Sequence, residues 1–429
     1  MWFIVSSEPM GVIEQSDTQA ASLERPTLGW VERQVAEIAA DPVLRYYGIA
    51  LAAVNVLTFV HWRFQLDLGA VISDEALAIC WPLWESCHAA RLLPSSGVEA
   101  VLWAYAVLST AVAACFVSAK RVRWGYWGLL LVTVIRLLIV AQDFRLRANQ
   151  HYMATWVALA FLFFPAKRLL IRHLIVSLYV WAGVLKLDRE WLTGEALYNR
   201  HKLWVPAPLI PASCVYVVVL ETILVFGLYA RRAWLFWLTL GQFALFHLVS
   251  WPIVGFYYPL LMFCLLSIFV LDRALGPRAA ADRLFPRRHR LAAAGLLGTF
   301  ALCQLVPYTF PGDTAITGEG RLFALHMFDA KVVCEATATF HLRDASVREV
   351  RIPELGLVQR IKCDPVVFLA LANSQCRDRV DDPRVVDFDL RVRSRRTSDP
   401  EFRPVIDVKN FCASGLTYDL WRPNDWILK

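Results

Sequence analysis

Roughly nine apolar stretches, each near the ~20 residues that a helix needs to cross a bilayer, dominate this chain up to residue 308. They fall at about 46–64, 98–118, 124–141, 151–166, 171–187, 212–230, 233–250, 253–271 and 291–308. No soluble core of ordinary size needs so many, and the composition agrees: of 429 residues 57% are hydrophobic and 19% charged, with mean hydropathy +0.46. The expected fold is mostly α, a polytopic membrane helical bundle of about nine transmembrane helices over 45–308. A small C-terminal extracytoplasmic α+β domain is expected over 309–429.

Residues 1–44 read as a cytoplasmic leader, because MWFIV is followed by polar, acid-containing sequence and not by the long apolar region of a secretory signal. Within it, Leu28, Val31, Val35 and Ile38 recur at helical spacing, which suits either an amphipathic interfacial helix or a loosely ordered leader.

A formal charge of +7 would suggest nucleic acid in a soluble protein, but here the cations mark topology. Lys120, Arg121 and Arg123 follow the second span, and Lys167, Arg168 and Arg172 follow the fourth. Arg231 and Arg232 precede the seventh, and the run from Arg273 to Arg290 precedes the ninth. With nine spans all four clusters share one face, which the positive-inside rule makes cytoplasmic. The chain is then an integral protein of the cell (inner) membrane with lipid as its surroundings, no nucleic-acid partner, N-terminus inside and C-terminal domain outside.

Ten cysteines divide along the same line. Cys115, Cys214, Cys264 and Cys303 sit in spans as small packing residues. Cys80, Cys87, Cys334, Cys363, Cys376 and Cys412 fall on the expected outer side, where disulfides form, and the pairing stays open. Without a close C-x-x-C pair, no metal site is expected.

Two loops, 66–97 and 188–211, are long enough to cover the outer end of the bundle. The first holds apolar residues at helical spacing; the second, EWLTGEALYNRHKLW, carries Trp191, Leu197 and Trp204 as interfacial anchors. In the C-terminal unit, TATFHLR within Val332 to Arg343 and VVDFDLRVR from Val385 to Arg393 alternate with period two, as half-buried strands do. Pro365 to Arg379 reads as a helix between them.

Chemistry concentrates at a few titratable residues. Lys186 closes the fifth span in YVWAGVLKLDREWLTG. It is either a snorkelling anchor with Asp188 as partner or, once desolvated, a general base. His151 opens the fourth span and His247 ends the seventh, both at the expected depth of Lys186. Arg136 lies mid-span, and Glu221 in VVVLETILVF is a partner to consider for it. Trp191, Phe246, Trp251 and Tyr257 are candidates to line a pocket for a planar ligand, although aromatic residues at such positions also serve as packing and belt residues. The P-loop, Rossmann, H-E-x-x-H and G-x-S-x-G patterns are absent, which removes support for nucleotide-driven transport and serine hydrolysis.

The segment Ala182-Gly183-Val184-Leu185-Lys186-Leu187-Asp188, with Trp191 and Gly194, resembles the core motif of the vitamin K-dependent gamma-carboxylases and the related horizontally transferred transmembrane domain (HTTM) proteins. The family has a lysine pair before Leu-Asp; here Leu185 replaces the first and Lys186 keeps the second. Cys80-Trp81-Pro82-Leu83 is similar to a Cys-x-Pro-Leu segment, Asn149 to His151 to an Asn-Asn-His motif, and Phe246-His247 to a Phe-His pair whose following Gly255-Phe256 arrives about two residues early. Gly318 to Met327, Phe388 to Arg393 and Pro404 to Val408 resemble later family segments, so the likeness spans about residues 45 to 410.

The resemblance implies a gamma-glutamyl carboxylase-like lyase or quinol epoxidase. Reduced vitamin K or menaquinol would serve as cofactor, with O2 and CO2 as co-substrates and no metal. Lys186 would deprotonate the hydroquinone, oxygen would convert it to the epoxide by way of a strong base, and that base would take a glutamyl γ-proton before CO2 adds. His151 is implied in the carboxylation step, with His247 beside it. The acceptor would be a peptide or protein at the extracytoplasmic face. The alternative from another class is a non-catalytic HTTM protein for peptide binding, toxin maturation or immunity; a transporter using Arg136 and Glu221 ranks third.

Overall fold

Apolar runs of this length form helices because a helix satisfies its own backbone hydrogen bonds where no water can. The computed structural model describes residues 29–73, 78–82, 95–198, 204–276, 285–325, 332–352, 361–378 and 384–429. The first 28 residues, Cys87 and most of the helix expected within 66–97 lie outside them.

The chain enters through α1 (Trp30–Ala40) and α2 (Pro42–Phe64). Asp41 caps α2 by accepting the Val43 amide at 2.9 Å, with Pro42 at the first helical position, where its missing N–H costs nothing. There follow α3 (Ser95–Val117), α4 (Val122–Val140), α5 (Asn149–Phe163), α6 (Lys167–Val184), α7 (Ile210–Thr222), α8 (Ala233–Val254), α9 (Tyr257–Leu275) and α10 (Arg290–Leu305).

Among the described residues six helical stretches are long and apolar enough to cross a membrane: Pro42–Phe64, Gly97–Val117, Ala119–Val140, Ala233–Val254, Tyr257–Leu275 and Arg287–Thr309. These make the chain a membrane protein of mostly helical structure. The other three expected spans are α5, α6 and α7, of 15, 18 and 13 residues. At about 1.5 Å per residue, the 15 residues of α5 reach only about 22 Å. α6 begins with Lys167, Arg168 and Arg172, two of which pair with Asp272 at the end of α9. α7 tightens after Thr222 into a 3-10 turn, Leu224–Tyr229.

Arg136, on α4, is buried as a mid-span cation should be. Its guanidinium donates to Asn55 Oδ1 and Thr155 Oγ1, each at 3.3 Å. Glu221 does not meet it.

The C-terminal unit is a four-stranded antiparallel sheet of β1 (Val332–Leu342), β2 (Val347–Arg351), β3 (Val385–Arg396) and β4 (Arg403–Val408), in the order β2-β1-β3-β4. The expected strands and the helix α11 (Pro365–Asp378) are present. Inward residues Ala336, Ala338, Phe388, Leu390, Val392 and Ile406 share one core with Val367 of α11. Phe144, between α4 and α5, is fully buried in that core and ties the sheet to the bundle. Disulfides join Cys334 to Cys363 and Cys376 to Cys412, and Cys80 is disulfide-bonded too.

Candidate functional site

Lys186 lies two residues past the end of α6, where the chain turns and its amide donates to the Gly183 carbonyl at 3.1 Å. The side chain is only 2% exposed. Its ammonium donates to Glu221 Oε2 of α7 at 2.5 Å and to the Ala182 carbonyl at 3.3 Å. The Trp191 ring lies 5.4 Å from Nζ, within cation–π range. Glu221 is fully buried, and its second oxygen, Oε1, has no hydrogen-bond partner.

Gly183 allows this meeting. A Cβ there would fall 2.6 Å from Thr222 Cγ2 and 3.0 Å from Glu221 Cβ, so a side chain would hold α6 and α7 apart.

Trp191 sits on a single helical turn, Arg189–Leu192, opened by Asp188, which accepts the Glu190 amide at 2.8 Å. The indole donates to the Cys214 carbonyl of α7 at 2.9 Å, which fixes the ring beside Lys186. Together with Phe246, Tyr258, Ser213, Ser250 and Asn149, these residues line a mainly apolar cleft. It holds about 770 Å³ of space between atoms, part of it open to the surroundings. An apolar cleft with one charged side chain, Lys186, and a few polar groups is the usual form of a small-molecule site.

His247, on α8, is fully buried. Its Nε2 shares a 2.7 Å hydrogen bond with the Tyr179 hydroxyl of α6, while Nδ1 has no partner. His151 stands apart, in the first turn of α5 against the rings of Trp62 and Tyr257 at 5.2 and 5.9 Å. It lines a second cavity of about 1060 Å³, part of it open to the surroundings, with Arg147, Tyr152, Trp156 and Arg321. Asn149 lines both cavities.

Of the four residues expected to hold a planar ligand, Trp191 and Phe246 face the Lys186 cleft. Tyr257 packs on His61 at 4.6 Å and bonds Thr58 at 2.7 Å, on the His151 side. Trp251 is 37% exposed on α8 and lines neither cavity.

Asp188 is not the partner of Lys186. It binds Arg396 of β3 at 2.7 Å, and the same guanidinium holds Glu190 at 2.8 Å and Asp313 at 2.5 Å. Ser398 donates to the other Glu190 oxygen. Burial, with the hydrogen bond to Glu190 behind it, pushes the Asp188 carboxyl up to about 6. Burial acts on Glu190 too, but hydrogen bonds from Asp188 and Ser398 and the Arg396 charge outweigh it and draw Glu190 down to about 2. Below about pH 6 one proton is thus held on the Asp188 side of a clasp between the sheet and the segment after Lys186.

Sequence reasoning did not find three members of this site. Glu221 was visible as a lone carboxylate in an apolar run, but its partner was not. Tyr179 and Arg396 carried no signal, the latter being one of several arginines in VRVRSRR. Among the described residues, no group of three or more His, Cys, Asp or Glu is arranged to hold a metal ion. Comparison of the chain with family models, with curated proteins and with solved structures returned no match in any of the three.

Proposed function

We propose that this protein is a membrane enzyme that deprotonates a reduced naphthoquinone and couples its oxidation or epoxidation by oxygen to proton abstraction from, and carboxylation of, a glutamyl substrate. The observation that carries the reading is Lys186: a 2%-exposed lysine beside Trp191 in an apolar cleft. A planar, weakly polar substrate suits such walls, and closure against water suits a reaction that passes through strong bases. Lys186 acts as the base, and Trp191 and Phe246 flank the substrate ring. His247, oriented by Tyr179, lies on a helix that borders the same cleft. His151 assists from the adjoining cavity, where the acceptor binds.

Nine spans with the N-terminus in the cytoplasm and the sheet domain outside belong to the same proposal. The two disulfides of that domain support this orientation, because such bonds persist in oxidising compartments. α5, α6 and α7 then complete the bundle as short helices, consistent with lysine and histidine ends that sit inside the protein instead of at its surface.

The test is incubation of the purified protein with reduced menaquinone or vitamin K, oxygen and a glutamyl peptide, followed by mass spectrometry. Epoxide and a CO2 adduct are expected. Lys186→Ala protein that consumes oxygen and the reduced quinone at the normal rate would remove Lys186 from the role of base.

A second reading draws on the closeness of the Lys186–Glu221 pair. In it the pair is structural and the protein binds a peptide without chemistry. A stable peptide complex from protein that leaves the reduced quinone untouched would favour it.

A further inference from the structure

A lysine already bound to a carboxylate at 2.5 Å poses a chemical problem for the reading of Lys186 as a base, on which the following rests. If the pair is ammonium and carboxylate, Lys186 has no free electron pair with which to accept a proton. The pair as a unit does, because it has two basic sites, the amine nitrogen and a carboxylate oxygen, and a single proton between them.

We infer that Glu221 is the group that holds the proton taken from the substrate, acting through Lys186 and not by touching the substrate itself. As the substrate O–H bond breaks, an N–H bond forms on Lys186. An N–H bond of Lys186 breaks towards Glu221 Oε2, and an O–H bond forms there. No electrons are transferred, and total charge is unchanged: the neutral substrate becomes an anion beside an ammonium, and Glu221 becomes a neutral acid.

Three features of the structure carry this. The Lys186–Glu221 contact is short enough for proton transfer along it. Glu221 does not line the cleft, whereas Lys186 does and bonds it directly, so among the described residues the lysine is the link from the cleft to the acid. Glu221 Oε1 is buried without a hydrogen-bond partner. A charged carboxylate with an unmatched oxygen is costly in such surroundings, and protonation lowers that cost.

The pairing also suits the electrostatics of the product state. The Lys186 ammonium, released from neutralising Glu221, faces the new anion in the cleft. The positive charge is therefore turned from the acid to the substrate without moving either side chain.

The experiment is infrared difference spectroscopy of the full chain in lipid nanodiscs, with menadiol added anaerobically as the probe and its ionisation followed by ultraviolet absorbance. Wild-type protein should ionise menadiol and gain a single carboxylic-acid C=O band that shifts in D2O. Glu221→Gln should lose the band. Lys186→Met should carry the band before menadiol is added and gain none afterwards, because Glu221 without its cation is protonated at rest.

Menadiol ionised by wild-type protein without a new carboxylic-acid band overturns the role of Glu221 and leaves Lys186 as the base. A band that persists in Glu221→Gln overturns it as well. Menadiol bound or unbound but never ionised overturns the reading of Lys186, and the role of Glu221 with it. The wild-type measurement holds even where a variant fails to fold.

Discussion

Lys186 and Glu221 stabilise each other at a site where neither is tolerable alone. Removing one member of a buried ion pair leaves its partner either charged in a medium that solvates it poorly or forced into its neutral form, at a cost of about 3–5 kcal/mol. Lys186→Met should therefore lower stability by about that amount and, if the proposed activity holds, abolish oxidation of a reduced naphthoquinone. The double variant Lys186→Met with Glu221→Leu should recover most of the stability and none of the activity, since apolar replacements of a buried pair are often neutral. Thermal unfolding in detergent and an oxygen electrode check both. Lys186 itself stood out in the sequence because a cation at the end of an apolar run demands an explanation. Its partner did not, because Asp188 is nearer in the chain and Arg136 is the more conspicuous match for Glu221.

At the scale of elements, the site depends on how closely α6 approaches α7. Gly183 faces Thr222 and Glu221 with no room for a Cβ. Gly183→Val should cost about 1–3 kcal/mol through overpacking and lengthen the Lys186–Glu221 contact, seen as a lower Tm together with impaired ionisation of menadiol under the proposed function.

The clasp between β3 and the Asp188 turn should respond to pH in two opposed ways. Asp188 titrates near 6 in the folded protein against 3.8 unfolded. The folded state then binds the proton more tightly, and the contribution of Asp188 to stability falls as pH rises between those values. Glu190 titrates near 2 against 4.5, so its contribution is present above 4.5 and lost as pH falls through about 2. Tm measured against pH should therefore show a component that declines above about pH 4 and is absent in Asp188→Asn, and an acid-side loss that is absent in Glu190→Gln. The existence of α6 and β3 was legible from apolar length and period-two alternation. Their connection through Arg396 was not, since a residue at the end of a strand gives no sign of what lies beyond the sheet.

The whole molecule joins a membrane bundle to a cross-linked sheet through Phe144, which is buried in the sheet's core, and through the Arg396 clasp. Its two described disulfides span 29 and 36 residues. Loss of either should destabilise the C-terminal domain by about 2–5 kcal/mol, largely by freeing the unfolded chain. Limited proteolysis before and after reduction, with Cys376→Ser and Cys412→Ser variants as controls, should show cleavage appearing in 332–429 while the bundle stays protected.

The sequence by itself determined which segments are helical and apolar, which C-terminal segments alternate as strands, and that Lys186, His151 and His247 were residues to explain. These follow from patterns with periods of two or 3.6 residues and from the cost of burying charge, all of which are local properties of the chain. The tertiary structure alone decided the partners. Lys186 meets Glu221 across 35 residues and Asp188 meets Arg396 across 208, while His151 and Lys186 line separate cavities that share Asn149 as a lining residue. Which helix lies beside which depends on packing at places such as Gly183, and no local pattern records the neighbour that a given face will find.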